Sequence, residues 1–130
     1  MTILLSYKPG PLGEAALARA IIEARTHDHR LVVLNVARGD AAIEDERMSD
    51  AQAAELTATL DAAGVAHDLE RIVRPGDVAD EVVHAAERLD VDMIVIGLRH
   101  RSAVGKFILG SDGQRILLHS HCPVLAIKLE

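Results

Sequence analysis

Five short apolar runs, separated by longer segments with helical spacing, organise this chain. Four of the runs are almost continuously apolar, as is typical of strands that are covered on both faces of a sheet. The third run alternates between polar and apolar residues, so we predict that it forms an edge strand. In chain order the runs are Thr2 to Tyr7, Arg30 to Ala37, Asp68 to Val73, Asp92 to Gly97 and Pro123 to Leu129.

The segments between the runs repeat their apolar residues with the period of an amphipathic helix. Asp77 and Asp80 place negative charge in the first turn of one such helix, where it is favourable. Ser111 followed by Gln114 resembles a capping box and predicts the start of a short fourth helix. The three longer helices are predicted over Leu12 to Arg25, Asp45 to Ala63 and Asp77 to Leu89.

The alternation of strands and helices predicts the fold class. Strands that are joined through helices form a parallel sheet with right-handed crossovers, and the helices cover both of its faces. We therefore predict one doubly wound α/β domain over residues 1–130. Such sheets bind ligands at the carboxyl ends of the strands, at the point where the direction of winding reverses.

Charge and composition argue against several classes of partner. The formal net charge is −6, so we expect neither nucleic acid nor an anionic membrane as a partner. One Tyr, one Phe and no Trp offer no stacking platform for single-stranded nucleic acid. The chain has a single cysteine, no basic leader at its N-terminus and no apolar run near the ~18 residues of a membrane span, so we expect a cytoplasmic location.

Three common phosphate-binding or phosphate-transfer devices do not match the sequence. A Walker loop fails because Phe107 follows Lys106 and no glycine stands at position 100. The dinucleotide fingerprint GxGxxG follows none of the predicted strands. A phospho-receiver domain needs paired carboxylates after the first strand, where this chain reads SYKPG. Any phosphate site must therefore use a different arrangement.

Catalytic and metal-binding patterns are equally sparse. Cys122 precedes Pro123 at the start of the last strand, where we expect an inert thiol. His119 and His121 lie near this cysteine, but no fourth ligand stands at zinc spacing. No GxSxG elbow occurs, and no pattern places a Ser beside a His and an Asp. We expect no catalytic residue and no metal-binding residue, and hence a protein that is not an enzyme.

The stretch GLRHRSAVGKFILGSDGQ, residues 97–114, is the strongest candidate for a binding site. A helix that begins after Gly110 presents unpaired backbone N–H groups and partial positive charge, which suit an anion. Glycine at 97 and 110 would let the main chain approach a phosphate closely. An ordinary basic turn between a strand and a helix explains the same residues equally well. The basic side chains of the loop are Arg99, His100, Arg101 and Lys106.

The chain resembles the universal stress protein family over nearly its full length. The resemblance rests on TILLSY, RLVVLNV, RPGDVADEVVHAAERLDVDMIVIG, the glycine loop with GS, and HCPVLAIK. The family's nucleotide-binding pattern is Gly, two residues, Gly, nine residues, Gly and then Ser or Thr. Gly97, Gly110 and Ser111 match this pattern at the right spacing, and His100 replaces the second glycine.

This resemblance implies a Rossmann-like fold of the adenine nucleotide alpha hydrolase type, with strand order 3-2-1-4-5. It also implies a cytoplasmic homodimer formed through the last strand, Pro123 to Leu129. In one branch of the family ATP, ADP or AMP is bound, and whether Mg²⁺ accompanies it stays open here. The implied nucleotide-binding residues are Ser6, Lys8, Val36, Gly97, Arg99, His100, Arg101, Lys106, Gly110 and Ser111.

Two positions depart from the nucleotide-binding pattern and leave alternatives open. Lys8 stands where many nucleotide-binding members carry an Asp, and His100 adds a side chain beside the expected ligand. A nucleotide-binding sensor or regulator is the leading hypothesis. The alternative is a dimeric protein-interaction module that binds no nucleotide. An ATP-dependent enzyme would require Lys8, His100 and Arg101 to converge on one pocket.

Overall fold

A computed structural model describes residues 1–38, 47–98 and 110–129 of the chain. Strands and helices alternate along these residues, as the sequence predicts. The strands are β1 (Thr2–Ser6), β2 (Arg30–Ala37), β3 (His67–Val73), β4 (Met93–Gly97) and β5 (Val124–Ile127). The helices are α1 (Pro11–His27), α2 (Asp50–Ala62), α3 (Val78–Arg88) and α4 (Ser111–His119).

The five strands form one parallel sheet in the order β3-β2-β1-β4-β5. This order and the parallel pairing confirm the predicted fold class, and β3 lies at an edge as its alternating pattern indicates. From β1 the chain winds outward to β2 and β3, and it then returns to place β4 on the other side of β1. The winding therefore reverses between β1 and β4, where a doubly wound sheet opens a crevice.

Helices cover both faces of the sheet, and successive residues of β1 enter different cores. Leu5 packs in a buried cluster with Leu17 of α1 and Leu60 of α2. Leu4 packs on the opposite face with Val82 of α3 and Ile116 of α4. Side chains alternate between the two faces of a strand, so one apolar run supplies both cores.

The predicted start of the second helix is too early. Residues 39–46 lie outside the described part of the chain, and α2 begins at Asp50 with Ser49 as its N-cap. The Ser49 hydroxyl accepts a hydrogen bond from the Gln52 amide, and the Gln52 side chain accepts one from the Ser49 amide. This reciprocal pair is a capping box, and it fixes where the helix starts.

The predicted capping box at Ser111 and Gln114 is wrong. Gly110 is the N-cap of α4, and no side chain caps this helix. Ser111 is already the first helical residue, and the Gln114 amide donates to the backbone carbonyl of Gly110. A hydroxyl can cap only from the residue that precedes the first turn, so Ser111 stands one position too late for this role.

Candidate functional site

A cleft of about 440 Å³ opens at the carboxyl edge of the sheet, where the winding reverses. Its walls are the chain that follows β1, the first turn of α1, the end of β4 and the start of α4. This volume falls within the range of ordinary small-molecule sites. The fold therefore provides a ligand-sized crevice at the position that doubly wound sheets use for binding.

The cleft brings together four of the residues that the sequence assigned to a nucleotide site: Ser6, Lys8, Gly97 and Gly110. Ser111 is the first residue of α4, directly after the Gly110 that lines the cleft. Val36 is placed elsewhere, because it is only 4% exposed and packs in the core between the sheet and α3. The remaining predicted residues, Arg99, His100, Arg101 and Lys106, lie outside the described part of the chain.

Two helices present their N-termini to this cleft without a side-chain cap. Gly10 is the N-cap of α1 and Gly110 is the N-cap of α4, and neither can offer a capping side chain. In both helices the third residue is also glycine, Gly13 in α1 and Gly113 in α4, and all four glycines line the cleft. The first amides of a helix have no partner within the helix, so both starts place donors and partial positive charge beside one space, although Pro11 has no N–H and leaves Leu12 and Gly13 as the donors of α1.

The other two helices satisfy their own first turns. Ser49 and Gln52 form the capping box of α2. The Asp77 carboxylate accepts hydrogen bonds from the amides of Ala79 and Asp80 at the start of α3. The same carboxylate pairs with the Arg115 guanidinium on α4. Among the four helices, the two that both begin with Gly-x-x-Gly are those whose amides remain available beside the cleft.

The wall after β1 is held in place by close backbone packing. A Cβ at Gly13 would overlap the carbonyl oxygen of Lys8, so only glycine allows the first turn of α1 to lie against this segment. Gly10 has a φ of 125°, which side-chain-bearing residues rarely adopt. These two glycines give the wall its shape.

Two polar side chains support the same wall. The amide of Asn35, which is only 1% exposed, donates to the Tyr7 carbonyl at 2.9 Å and accepts from the Met48 amide at 3.2 Å. The Tyr7 hydroxyl donates to Glu14 at 2.5 Å. Burial is the larger cause and this hydrogen bond the smaller cause that raise the pKa of Tyr7 well above its ordinary value. The hydroxyl therefore stays protonated and keeps donating.

Gly97 has a structural role that the sequence did not indicate. A Cβ built at this residue would lie 2.7 Å from Cγ of Leu12 on α1. The space that a side chain at 97 would occupy is thus filled by Leu12, and Gly97 allows α1 to pack against the end of β4. Gly97 also lines the cleft, so this packing role stands beside the expectation that the glycine admits a close phosphate, which stays a prediction.

Two oppositely charged side chains line the described part of the cleft. Lys8 follows β1, and Asp112 lies in the first turn of α4. Asp112 is also paired with Arg38, which follows β2, at an N···O distance of 3.7 Å. The ion pair joins the end of one strand to the start of the helix at which an anion would sit.

Groups with catalytic or metal-binding chemistry are placed as follows. Burial raises the pKa of the Cys122 thiol, so the reactive thiolate is disfavoured. The Nε2 atom of His121 lies 3.9 Å from the Oδ1 atom of Asp90. Across residues 1–38, 47–98 and 110–129, no group of three or more His, Cys, Asp or Glu side chains is arranged to hold a metal ion. No helix within these ranges is long and apolar enough to cross a membrane.

Comparison with known proteins identifies the family to which this chain belongs. The model of the universal stress protein family matches residues 1–128. The chain belongs to the universal stress protein family. A universal stress protein of Mycolicibacterium smegmatis is 36% identical over 97% of this chain and 96% of its own length.

Solved structures of universal stress proteins from Archaeoglobus fulgidus share the fold. One is 28% identical with a TM-score of 0.71, and the alignment covers 98% of this chain and 97% of that chain. A second is in complex with dAMP and is 25% identical with a TM-score of 0.65, covering 98% of this chain and 96% of that chain.

Several features of this family member escaped the sequence reasoning. The Gly10 and Gly13 pair forms a second helix start at the cleft, and its signal was the repeat of the Gly-x-x-Gly spacing at Gly110 and Gly113. Asp112 lies inside the segment 97–114, where the glycines and basic residues give the stronger signal for a phosphate site. No local pattern distinguishes Asn35 from an ordinary strand residue, because its two partners are distant in sequence.

Proposed function

We propose that this universal stress protein binds an adenine nucleotide in the cleft and acts in the cytoplasm as a sensor or regulator. The observation that carries this proposal is the pair of uncapped helix starts, at Gly10 and Gly110, that face one cleft. Such starts bind phosphate groups through backbone amides. The dAMP complex of the Archaeoglobus fulgidus protein supports the choice of an adenine nucleotide.

The residues of the cleft suggest how the ligand is held. The phosphate lies against the amides at the start of α4, within reach of the opposing start of α1. Lys8 supplies a cation on the wall after β1, in place of a carboxylate that could bind a metal ion. The nucleoside rests against Ser6 and the neighbouring apolar surface of Ile96 and Leu98. ATP, ADP and AMP all satisfy this arrangement.

The protein turns nucleotide over slowly or not at all. Among the described lining residues, Asp112 is the one carboxylate that could act as a general base, and it is paired with Arg38. A dedicated enzyme reaches about 1 s⁻¹ or more. Nucleotide turnover at that rate by the purified protein would contradict the sensor proposal.

Mass spectrometry of the small molecules released from freshly purified, heat-denatured protein tests nucleotide binding. We expect an adenine nucleotide in amounts approaching one per chain. We also expect added AMP or ATP to raise the melting temperature, because a ligand that binds only the folded state stabilises it. Release of no nucleotide, together with an unshifted melting temperature, would favour the alternative of a dimeric protein-interaction module.

We propose that the protein forms a homodimer through β5. This strand lies at a sheet edge, and its four residues are only partly buried. Pro123 and Ile127 direct their carbonyls to β4, so by alternation Val124 and Ala126 direct their backbone groups outward. At the other edge, β3 carries charged side chains that discourage pairing, including Asp68, Glu70 and Arg71.

Proline substitution at the two edges tests the dimer. Ala126→Pro removes an outward amide from β5 without removing a hydrogen bond to β4, and proline is tolerated at such edge positions. We expect sedimentation to show a folded monomer, whereas the unchanged protein is a dimer. The matched control is Val73→Pro, which removes an outward amide from β3 and should leave the dimer intact. A dimer that survives Ala126→Pro would contradict pairing through β5.

A further inference from the structure

We propose that Arg115 is a positioning residue that holds the start of α4 in place for the nucleotide phosphate. This inference rests on the proposed nucleotide binding and adds a residue to that site. Arg115 itself lies outside the cleft lining, whereas Gly113 and Ile116 of the same helix line it. Arg115 therefore acts on a ligand through the helix that carries it.

The position of α4 depends on few contacts. The helix has nine residues, it lacks a side-chain cap, and its third residue is Gly113. Of these nine residues Ile116 alone is buried, in the cluster that includes Val78 and Val82 of α3. A helix of this length is marginal in isolation. Contacts with the rest of the fold must therefore determine where its first turn lies.

Arg115 ties α4 to the start of α3. One terminal nitrogen of its guanidinium donates to the Asp77 carboxylate, and the other donates to Asp80 at 2.8 Å. The second carboxylate oxygen of Asp77 accepts from the amides of Ala79 and Asp80. The same aspartate therefore caps α3 and anchors α4, and Val78 directly after it lines the cleft.

The planar guanidinium makes this anchor directional. Its nitrogens are fixed relative to one another, so two carboxylates at the start of α3 determine both the distance and the orientation of Arg115. An ammonium group carries the same charge but lacks this fork, so it would hold α4 less precisely. Arginine at position 115 thus restricts how α4 can turn against α3.

A first turn that is already fixed binds a ligand more tightly than one that the ligand must order. Ordering of a binding group during association costs free energy, and a preorganised group avoids this cost. Loss of the anchor would let the start of α4 move relative to Lys8 and the start of α1, which form the facing part of the cleft. One phosphate would then contact both helix starts less often.

Positioning and simple attraction between Arg115 and phosphate predict opposite results at Asp80. Asp80→Ala removes a negative charge beside Arg115, so attraction alone predicts stronger phosphate binding. The same change removes one of the two carboxylates that orient Arg115, so positioning predicts weaker binding. The Asp77 carboxylate still caps α3 in this variant through the Ala79 amide. The sign of the change at Asp80 therefore separates the two explanations.

Calorimetry on the full chain measures the dissociation constant of AMP for variants whose folding is checked by circular dichroism. We expect Arg115→Met to weaken AMP binding by about tenfold, and Asp80→Ala and Arg115→Lys to weaken it by about threefold each. The matched control is Arg88→Met, because Arg88 is 45% exposed, Arg115 is 43% exposed, and both pair with a carboxylate. Arg88 lies at the far end of α3 and pairs with Glu70, so its removal should leave AMP binding unchanged.

The outcomes that would overturn the inference are distinct. Unchanged AMP affinity in Arg115→Met would overturn it directly. Full affinity in Arg115→Lys, or an unchanged or stronger affinity in Asp80→Ala, would assign the effect to charge, and an equal loss in Arg88→Met would assign it to general destabilisation. If Arg115→Met does not fold, Arg115→Lys and Asp80→Ala decide the question by the same criteria. If the unchanged protein binds no AMP, ADP or ATP, the proposed function fails, and the inference fails with it.

Discussion

The four helices of this protein begin in two different ways. At α2 and α3 the N-cap and the third helical residue are polar, Ser49 with Gln52 and Asp77 with Asp80, and side chains satisfy the first amides. At α1 and α4 the same two positions are glycine, and no side chain provides a cap. The self-capped starts need nothing further, whereas the uncapped starts gain hydrogen bonds only from water or a ligand.

This difference separates helices that serve the fold from helices that serve the cleft. Glycine in a helix costs about 1 kcal/mol relative to alanine, and a glycine N-cap forgoes a few tenths of a kcal/mol relative to a capping side chain. Both costs fall on the two helices whose first turns line the cleft. Local rules of stability are commonly broken at functional sites, and here they are broken twice at one cleft.

The largest expected effect comes from adding a Cβ in the first turn of α1. Gly13→Ala should destabilise the protein by about 3 kcal/mol, because the new Cβ would overlap the backbone carbonyl of Lys8. Helix propensity alone predicts the opposite sign, a gain of about 1 kcal/mol. Urea unfolding of the two proteins measures the difference. A midpoint that is unchanged or raised would show that the wall after β1 can move away.

Removal of the side chain that caps α3 should have the next largest effect. Asp77→Ala removes the acceptor for two amides of α3 and the partner of Arg115, and we expect a loss of about 2 kcal/mol in thermal unfolding. The control is Asp80→Ala, which removes only the exposed pair with Arg115 and should cost less than about 1 kcal/mol. Equal losses in the two variants would assign the effect to the ion pairs and not to the cap.

Conversion of an uncapped start into a capped one should lower affinity without lowering stability. Gly110 has extended backbone angles that any residue can adopt, so Gly110→Asp can accept hydrogen bonds from the first amides of α4. We expect nucleotide affinity to fall by about tenfold, or about 1.4 kcal/mol.

The stability of the free Gly110→Asp protein should rise by a few tenths of a kcal/mol. Gly110→Ser serves as the comparison, since it provides a cap without added charge. Undiminished affinity in both variants would mean that these amides do not hold the ligand.

The smallest effect compares one substitution at two helix starts. Ser49→Ala removes a capping hydroxyl and should cost about 1 kcal/mol in urea unfolding. Ser111→Ala removes a hydroxyl that is not a cap and should cost less than about 0.5 kcal/mol. A larger loss at Ser111 than at Ser49 would reverse the assignment of the two caps.

The sequence predicted the architecture because its signals are local and repeated. Apolar runs that continue through every residue indicate strands covered on both faces, and β3 alternates because it lies at an edge. Helix boundaries were less predictable, as Asp45 and Ser111 illustrate. A cap is defined by one backbone conformation, and several neighbouring polar residues offer the same chemistry.

The position of the cleft was predictable, but the structural role of each residue in it was not. Gly97 and Gly110 were identified by spacing, yet Gly97 packs against Leu12, a residue from a different helix. Val36 is expected at the site because the family resemblance implies a nucleoside contact there, but its side chain packs in the core. Which face a strand residue occupies depends on tertiary packing that one sequence does not reveal.

The buried amide of Asn35 limits how this part of the chain can vary. It is the single polar side chain among the fully buried residues that the structure describes, and it uses its nitrogen and its oxygen for different partners. Aspartate would offer two acceptors to the Tyr7 carbonyl and the Met48 amide, and leucine would offer nothing to either. A replacement at position 35 must therefore donate to the Tyr7 carbonyl and accept from the Met48 amide at the same time, so this position tolerates few side chains.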